Sequence, residues 1–411
     1  MWNKVLILVF MSVSLSIHAQ KGEKPVEYKS KDVMKEINLQ MKNSQFAQAE
    51  KSFQSAVTKY KEAGSDEKLY NTAIEIQRQL VLEQNKNMYL KNNRADTAKF
   101  FQHIYNIYDY AIHLDSLESQ PDEKGRVKYK YRSHNARTML SYRNNLRAAG
   151  NFFYLKRKYS DAYKHISMLL ESHHTDIIKS LGDTTVEKED LVKPATIAVL
   201  SAYAAKSYKD AVKYIGIALE DTATNKYLLE VGAKSFAQIG DTINGVKMLY
   251  SGVRNHSDYD YFFLTLVKYH NEHNQYDRSL KLARYITSKY PKNRDYWYIR
   301  GKEEIYMNLG DSALLSFSQA VVNKADDAES YSEMGKIYLG RAQEYYKSLS
   351  AAQLNAESRR KLKDMYSDAC RNFEAARKYK EDDRSLWLSG LKECYFKLNR
   401  GKELRALERL K

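Results

Sequence analysis

Between residues 192 and 327 the sequence repeats itself every 34 residues: four successive segments, 192–225, 226–259, 260–293 and 294–327, keep one register without insertion or deletion. A fixed period of this length means that each unit is one supersecondary motif, able to bury its apolar face only against its neighbours. In YWYIRGKEEIYMNLGDSALLSFSQAV (296–321) the register places Trp297 and Gly301 in a first predicted helix and Ala313, Phe317 and Ala320 in a second. A glycine inside a helix costs about 1 kcal/mol relative to alanine, so Gly301 is expected where two helices approach too closely for a side chain. The first segment carries Tyr208, Ala211 and Ala218, the second has Gly232, Ala233, Phe236, Gly240, Gly245 and Gly252 at small and aromatic positions, and the third has Tyr276 and Pro291.

This alternation of large, small and aromatic positions resembles the tetratricopeptide repeat family. The resemblance implies an all-α fold, a right-handed α-solenoid of helix-turn-helix units. It extends to a unit at 143–176 (Gly150, Phe153, Tyr159, Ala162), to one that starts at 328 (Tyr331, Gly335, Tyr338, then Ala369, Phe373, Ala376) and to a last one near Trp387. Phe46, Ala49, Phe53 and Ala56 give a further second helix near the N-terminus. Residues 64–142 fit the register least and read as two long amphipathic helices, a lengthened pair. With 4 prolines in 411 residues and no run of alternating strand residues, composition agrees with helix throughout. The expected organisation is residues 1–19 as a signal peptide, 20–142 as divergent helix pairs, 143–191 as one unit plus an insertion (177–191), 192–327 as four regular units, and 328–411 as C-terminal units with an expanded pair.

The signal-peptide reading rests on Lys4, the apolar run from Val5 to Ile17 and the small residue Ala19. The run is short for a membrane span, and no cysteine stands near Ala19 to be acylated. Export to the periplasm is the expectation, with secretion or the cell surface as alternatives. There the formal net charge of +16 points to acidic proteins, anionic glycans or a peripheral envelope surface as partners rather than to nucleic acid. A second basic region, 125–158, has Lys128 and Arg132, and Arg143 and Arg147, at helical spacing and reads as a solvated helix face.

In the family that this chain resembles, residues just after the first-helix glycine line a concave groove. The resemblance implies that Lys234, Lys268, Lys302, Lys336 and Lys392, one per unit in a single register, face that groove, with Tyr298 and Tyr306 beside them and Tyr154 and Tyr203 further along. Adjacent rungs would be roughly 10 Å apart, close enough to form a positive stripe for an extended acidic segment. Against this stands the plain fact that lysine is a good helix former on any exposed face, and tyrosine a common spacer between helices.

No glycine-rich phosphate loop, nucleophile elbow or paired-histidine metal helix occurs, and neither a cofactor nor a metal is expected. His173, His174, His270 and His273 lack ligand spacing, and Glu303 and Glu304 read as surface charge. Cys370 and Cys394 form a candidate disulfide or a pair of buried thiols. Asp followed by Ser or Thr at Asp96, Asp115, Asp221, Asp241 and Asp311 reads as helix capping, or as a glycosylation acceptor of exported proteins. The function expected is a non-catalytic scaffold of the bacterial envelope that binds an acidic partner segment; a glycan-binding or uptake-associated protein is the alternative.

Overall fold

The computed structural model describes residues 28–182 and 188–410. The segment expected to be a signal peptide lies outside them, as does part of the 177–191 insertion. The chain falls into two compact units that meet in sequence at Ala205 and Lys206, between the two helices of the 192–225 segment. No β-strand occurs among the described residues, and none of their helices is long and apolar enough to cross a membrane.

The first unit runs through α1 (Ser30–Lys42), α2 (Phe46–Lys59), α3 (Glu67–Tyr89), α4 (Thr97–Glu118), α5 (Arg132–Leu155), α6 (Tyr159–Ser172), the short α7 (Asp176–Lys179) and α8 (Lys188–Ala204). The α3–α4 pair is the lengthened pair expected over residues 64–142. The second unit holds α9 (Tyr208–Lys213), α10 (Ile215–Ala218), α11 (Asn225–Gln238), α12 (Thr242–Asn255), α13 (Asp260–Glu272), α14 (Tyr276–Lys289), α15 (Arg294–Tyr306), α16 (Gly310–Asn323), α17 (Ala328–Ser348), α18 (Ala356–Tyr379), α19 (Leu388–Lys397) and α20 (Gly401–Glu408). From α11 onward each helix packs mainly on the helix before it and the one after it, as a linear stack of antiparallel pairs requires. The expanded pair is α17–α18, joined through a turn whose Asn355 side chain caps α18.

A tight turn closes each regular pair. Lys206, Gly240, Asn274 and Asn308, spaced by one repeat, have φ of 60°, 79°, 56° and 57°, and Ser44, Arg157 and Asn399 do the same in outlying pairs. The next amide returns to a carbonyl five residues back, as in Asp241 N–H to Phe236 O (2.9 Å), Gln275 to His270 (2.8 Å) and Leu309 to Glu304 (2.8 Å). This bond satisfies carbonyls that the helix end would leave orphaned and fixes the angle at which the second helix departs.

Packing answers the question that Gly301 raised. A Cβ on Gly301 would lie 2.7 Å from the Phe317 ring, which is fully buried with Ala313 and Ala320. One repeat later, a Cβ on Gly335 would lie 2.9 Å from Phe373, a partner displaced in sequence because α17 and α18 are long. Trp297 lies on the same helix as Gly301. It is half-buried, with its indole N–H on the Pro291 carbonyl (2.8 Å), and the neighbouring Tyr296 supplies the buried ring against Phe263. Polar ties also span one repeat: Tyr296 to Asp260, Asn271 to Glu303 (2.7 Å), and Arg294 to Asp327 and to Glu329 (2.6 Å each).

Candidate functional site

The five lysines in register occupy the first helices of the second unit: Lys234 on α11, Lys268 on α13, Lys302 on α15, Lys336 on α17 and Lys392 on α19. The structure pairs four of them with glutamates of the same face. Lys234 bonds Glu230 one turn earlier and its ammonium lies 5.0 Å from the Tyr261 ring. Burial works against the Glu230 charge, but hydrogen bonds from Lys234 and the Tyr259 hydroxyl outweigh it and hold the carboxyl below its usual range. Lys302 and Lys336, on neighbouring first helices, converge on a single Glu333 oxygen at 3.3 and 3.1 Å. Lys268 is the loosest, 3.8 Å from Glu272 with a side chain 76% exposed. Lys392 is half-buried. The face is therefore a lysine and glutamate lattice in which Lys268 presents the most available charge.

Lys234 and Lys268 share a cleft of about 460 Å³ between α11, α12 and α13. Its floor is small and apolar (Ala233, Ala237, Gly245, Leu249), and Tyr261, Tyr269 and His273 stand along it. Small residues on adjoining helices open this space, and the lysines rim it. Tyr298 lies elsewhere: it is half-buried against Phe317 (5.7 Å between rings) under the Arg294 guanidinium, and burial pushes its hydroxyl up to about 12. Tyr306, 48% exposed, packs at a tilt against the Tyr276 ring at the end of its helix.

Several expectations are corrected. Glu303 and Glu304 are buried, not surface charges. Glu303 accepts from Asn271 and Ser279 (2.5 Å), while Glu304 accepts from Arg300 (3.0 Å) and Ser316 (2.6 Å), so each bridges helices as a satisfied buried acid. Lys128 precedes the start of α5, so it is not one helical turn from Arg132, whose guanidinium grips Asp115 through two bonds (2.5 and 2.8 Å) away from solvent. Of the five Asp-Ser/Thr sites, Asp96 and Asp241 cap helices and Asp221 closes a turn through Thr224, but Asp115 is buried within α4 and Asp311 lies inside α16. Cys370 and Cys394 are free buried thiols of one core cluster, both pushed up to about 12, by burial first and then by Glu374 on Cys370 and by Cys370 on Cys394.

His270 is buried, with Nδ1 on the Gln275 side chain and Nε2 on the Tyr250 hydroxyl, both at 2.7 Å. No group of three or more potential metal ligands occurs among the described residues.

No family model matches the chain, and no curated protein matches it. Solved structures similar to it are repeat proteins. The C-terminal part of a TPR repeat-containing protein from Cytophaga hutchinsonii is 12% identical, with 64% of this chain and 92% of that one covered and a TM-score of 0.40. MamA is 14% identical, with 47% and 96% covered and a TM-score of 0.34. The TPR2AB domain of yeast Sti1, solved in a pHSP90 complex, is 11% identical, with 63% and 99% covered and a TM-score of 0.25. The fold assignment rests on this chain's own pairs: a 34-residue register, two helices per period, a left-handed turn residue between them and, at Gly301 and Gly335, a glycine seated on the ring of the partner helix. By that geometry the chain is an all-α array of tetratricopeptide-type helix pairs.

Proposed function

We propose that the protein is a non-catalytic scaffold of the bacterial cell envelope that captures an acidic partner segment along the first helices of residues 206–411. The observation that carries this reading is the cleft between α11, α12 and α13, where Lys234 and Lys268 flank an apolar floor beside two tyrosine rings. A segment placing a carboxylate between the lysines and an apolar side chain on Ala233, Ala237 and Leu249 would match both the charge and the chemistry of that space. Lys302, Lys336 and Lys392 extend the same register and would meet further acidic residues. The placement in the envelope rests on Lys4, the Val5–Ile17 apolar run and Ala19.

The test is fluorescence anisotropy of a labelled peptide alternating Asp or Glu with Leu, at low and high salt. Saturable binding that weakens as salt rises is expected, because the lysines are solvent-facing charges. Lys234→Glu together with Lys268→Glu should weaken it by about tenfold or more, with helix content unchanged by circular dichroism. Equal binding by wild type and variant would reject the site. Salt-resistant binding to glycans in place of the peptide would establish the glycan-binding alternative.

A further inference from the structure

On the second helices, away from the lysine register, α12 and α14 enclose another cleft, of about 490 Å³. That volume lies within the range of small-molecule sites, roughly 300–1,000 Å³. Val253 and Leu282, both nearly inaccessible, form its floor, and Tyr250 and Tyr285 stand on opposite sides. Around the opening are Arg254, Arg278 and Lys281, and no carboxylate lines it. Unlike the lysines paired on the first helices, none of these three cations forms an ion pair among the described residues.

The walls are held in place from beneath. The Gln275 side-chain oxygen lies 3.4 Å from an Arg278 Nη and 2.7 Å from His270 Nδ1. An amide oxygen only accepts, so Nδ1 carries the imidazole proton, Nε2 is the acceptor, and the Tyr250 hydroxyl donates to it at 2.7 Å. One chain of hydrogen bonds thus fixes Tyr250 on α12 and steadies Arg278 on α14, with the buried His270 of α13 as the link. Such support from beneath is what a preorganised binding site needs.

We infer that this cleft is a binding site for a phosphate or sulfate monoester carried on a planar apolar body. Two guanidinium forks and an ammonium supply five-donor and three-donor groups for the oxyanion of such an ester, and arginine matches its geometry through paired bonds. The tyrosine faces and the Val253–Leu282 floor take the planar group. A bare oxyanion would leave that floor wetted, and an uncharged ring would leave the cations unanswered. The site is separate from the one proposed for the acidic segment, and its ligand is a small ester rather than a protein.

Isothermal titration of the full chain with phenyl phosphate, inorganic phosphate and phenol tests it. Phenyl phosphate should bind saturably and about tenfold or more tighter than either of the others. Arg254→Gln with Arg278→Gln should weaken it by about tenfold or more at unchanged melting temperature, and Lys281→Gln alone should weaken it to a lesser degree. Lys234→Glu with Lys268→Glu, which addresses the other cleft, should leave phenyl phosphate binding unchanged. Phenyl phosphate binding no tighter than inorganic phosphate, or undiminished in the double glutamine variant, would overturn the assignment.

Discussion

At Gly301 two local preferences oppose each other. Alanine is the better helix former by about 1 kcal/mol, yet its methyl group would sit 2.7 Å from a Phe317 ring that is fully enclosed and has nowhere to turn. Overpacking a filled core costs about 1–3 kcal/mol, so Gly301→Ala should lower stability by about 1–2 kcal/mol in urea unfolding followed by circular dichroism. Gly340, inside α17, has open space where a methyl group would stand, with no neighbour within 4 Å, and Gly340→Ala should instead raise stability by about 0.5–1 kcal/mol. The two substitutions are chemically identical, so opposite signs isolate packing as the cause. Equal signs would remove that account of the repeat glycine. The buried thiols make a second prediction at this scale. With Cys370 and Cys394 both pushed up to about 12, almost no thiolate is present near neutral pH. Ellman's reagent should therefore label the native chain only slowly and the unfolded chain rapidly at two sites, whereas fast labelling of native protein would contradict the enclosed core that holds them.

Between elements, the ties that span one repeat show what a linear reading of sequence can and cannot reach. The helices and their 34-residue spacing were legible because apolar and small residues recur on one face of each, a property local to a dozen residues. The lysine register was legible for the same reason. Glu230, Glu272 and Glu333 stand one turn from Lys234, Lys268 and Lys336 on the same helices, but the tie from Lys302 to Glu333 was not legible, because the two come together only when α15 and α17 are stacked. Glu303 looked like surface charge since its partners, Asn271 and Ser279, belong to the preceding pair. Lys206, Asn274 and Asn308 escaped notice as turn residues because they share with Gly240 a backbone angle rather than a side-chain type. One such tie gives a pH prediction. Burial opposes the Asp327 charge, but bonds from Arg294 and Ser330 prevail and hold its carboxyl below the ordinary 3.8. A depressed folded-state value means that the stabilisation is complete above the unfolded value and lost as pH falls through the folded one. Asp327→Asn should lower stability by about 1–3 kcal/mol at pH 7 and by progressively less below about pH 4, measured by urea unfolding across that range. A loss that stays constant down to pH 2 would show that the pair does not titrate as described.

For the molecule as a whole, what matters is where the chemistry lies relative to the two compact units. Both clefts, all five lysines of the register and the free thiols lie after Ala205. In that half, helices pack chiefly on their immediate neighbours, so each added pair is stabilised by the next and the stack needs no distant closing contact. Sequence periodicity alone did not mark a division inside 192–327, because the register runs unbroken through Lys206 and compactness depends on contacts that periodicity does not encode. Residues 206–411 expressed alone should therefore fold, with fraying confined to α9 and α10 at the new chain end. Circular dichroism should show a helical chain with a cooperative melt, and the acidic peptide should bind within about threefold of its affinity for the full chain. A helical fragment that binds more than about tenfold more weakly would place part of the partner's contact surface before Lys206, and would move the proposed site from one unit to the chain as a whole.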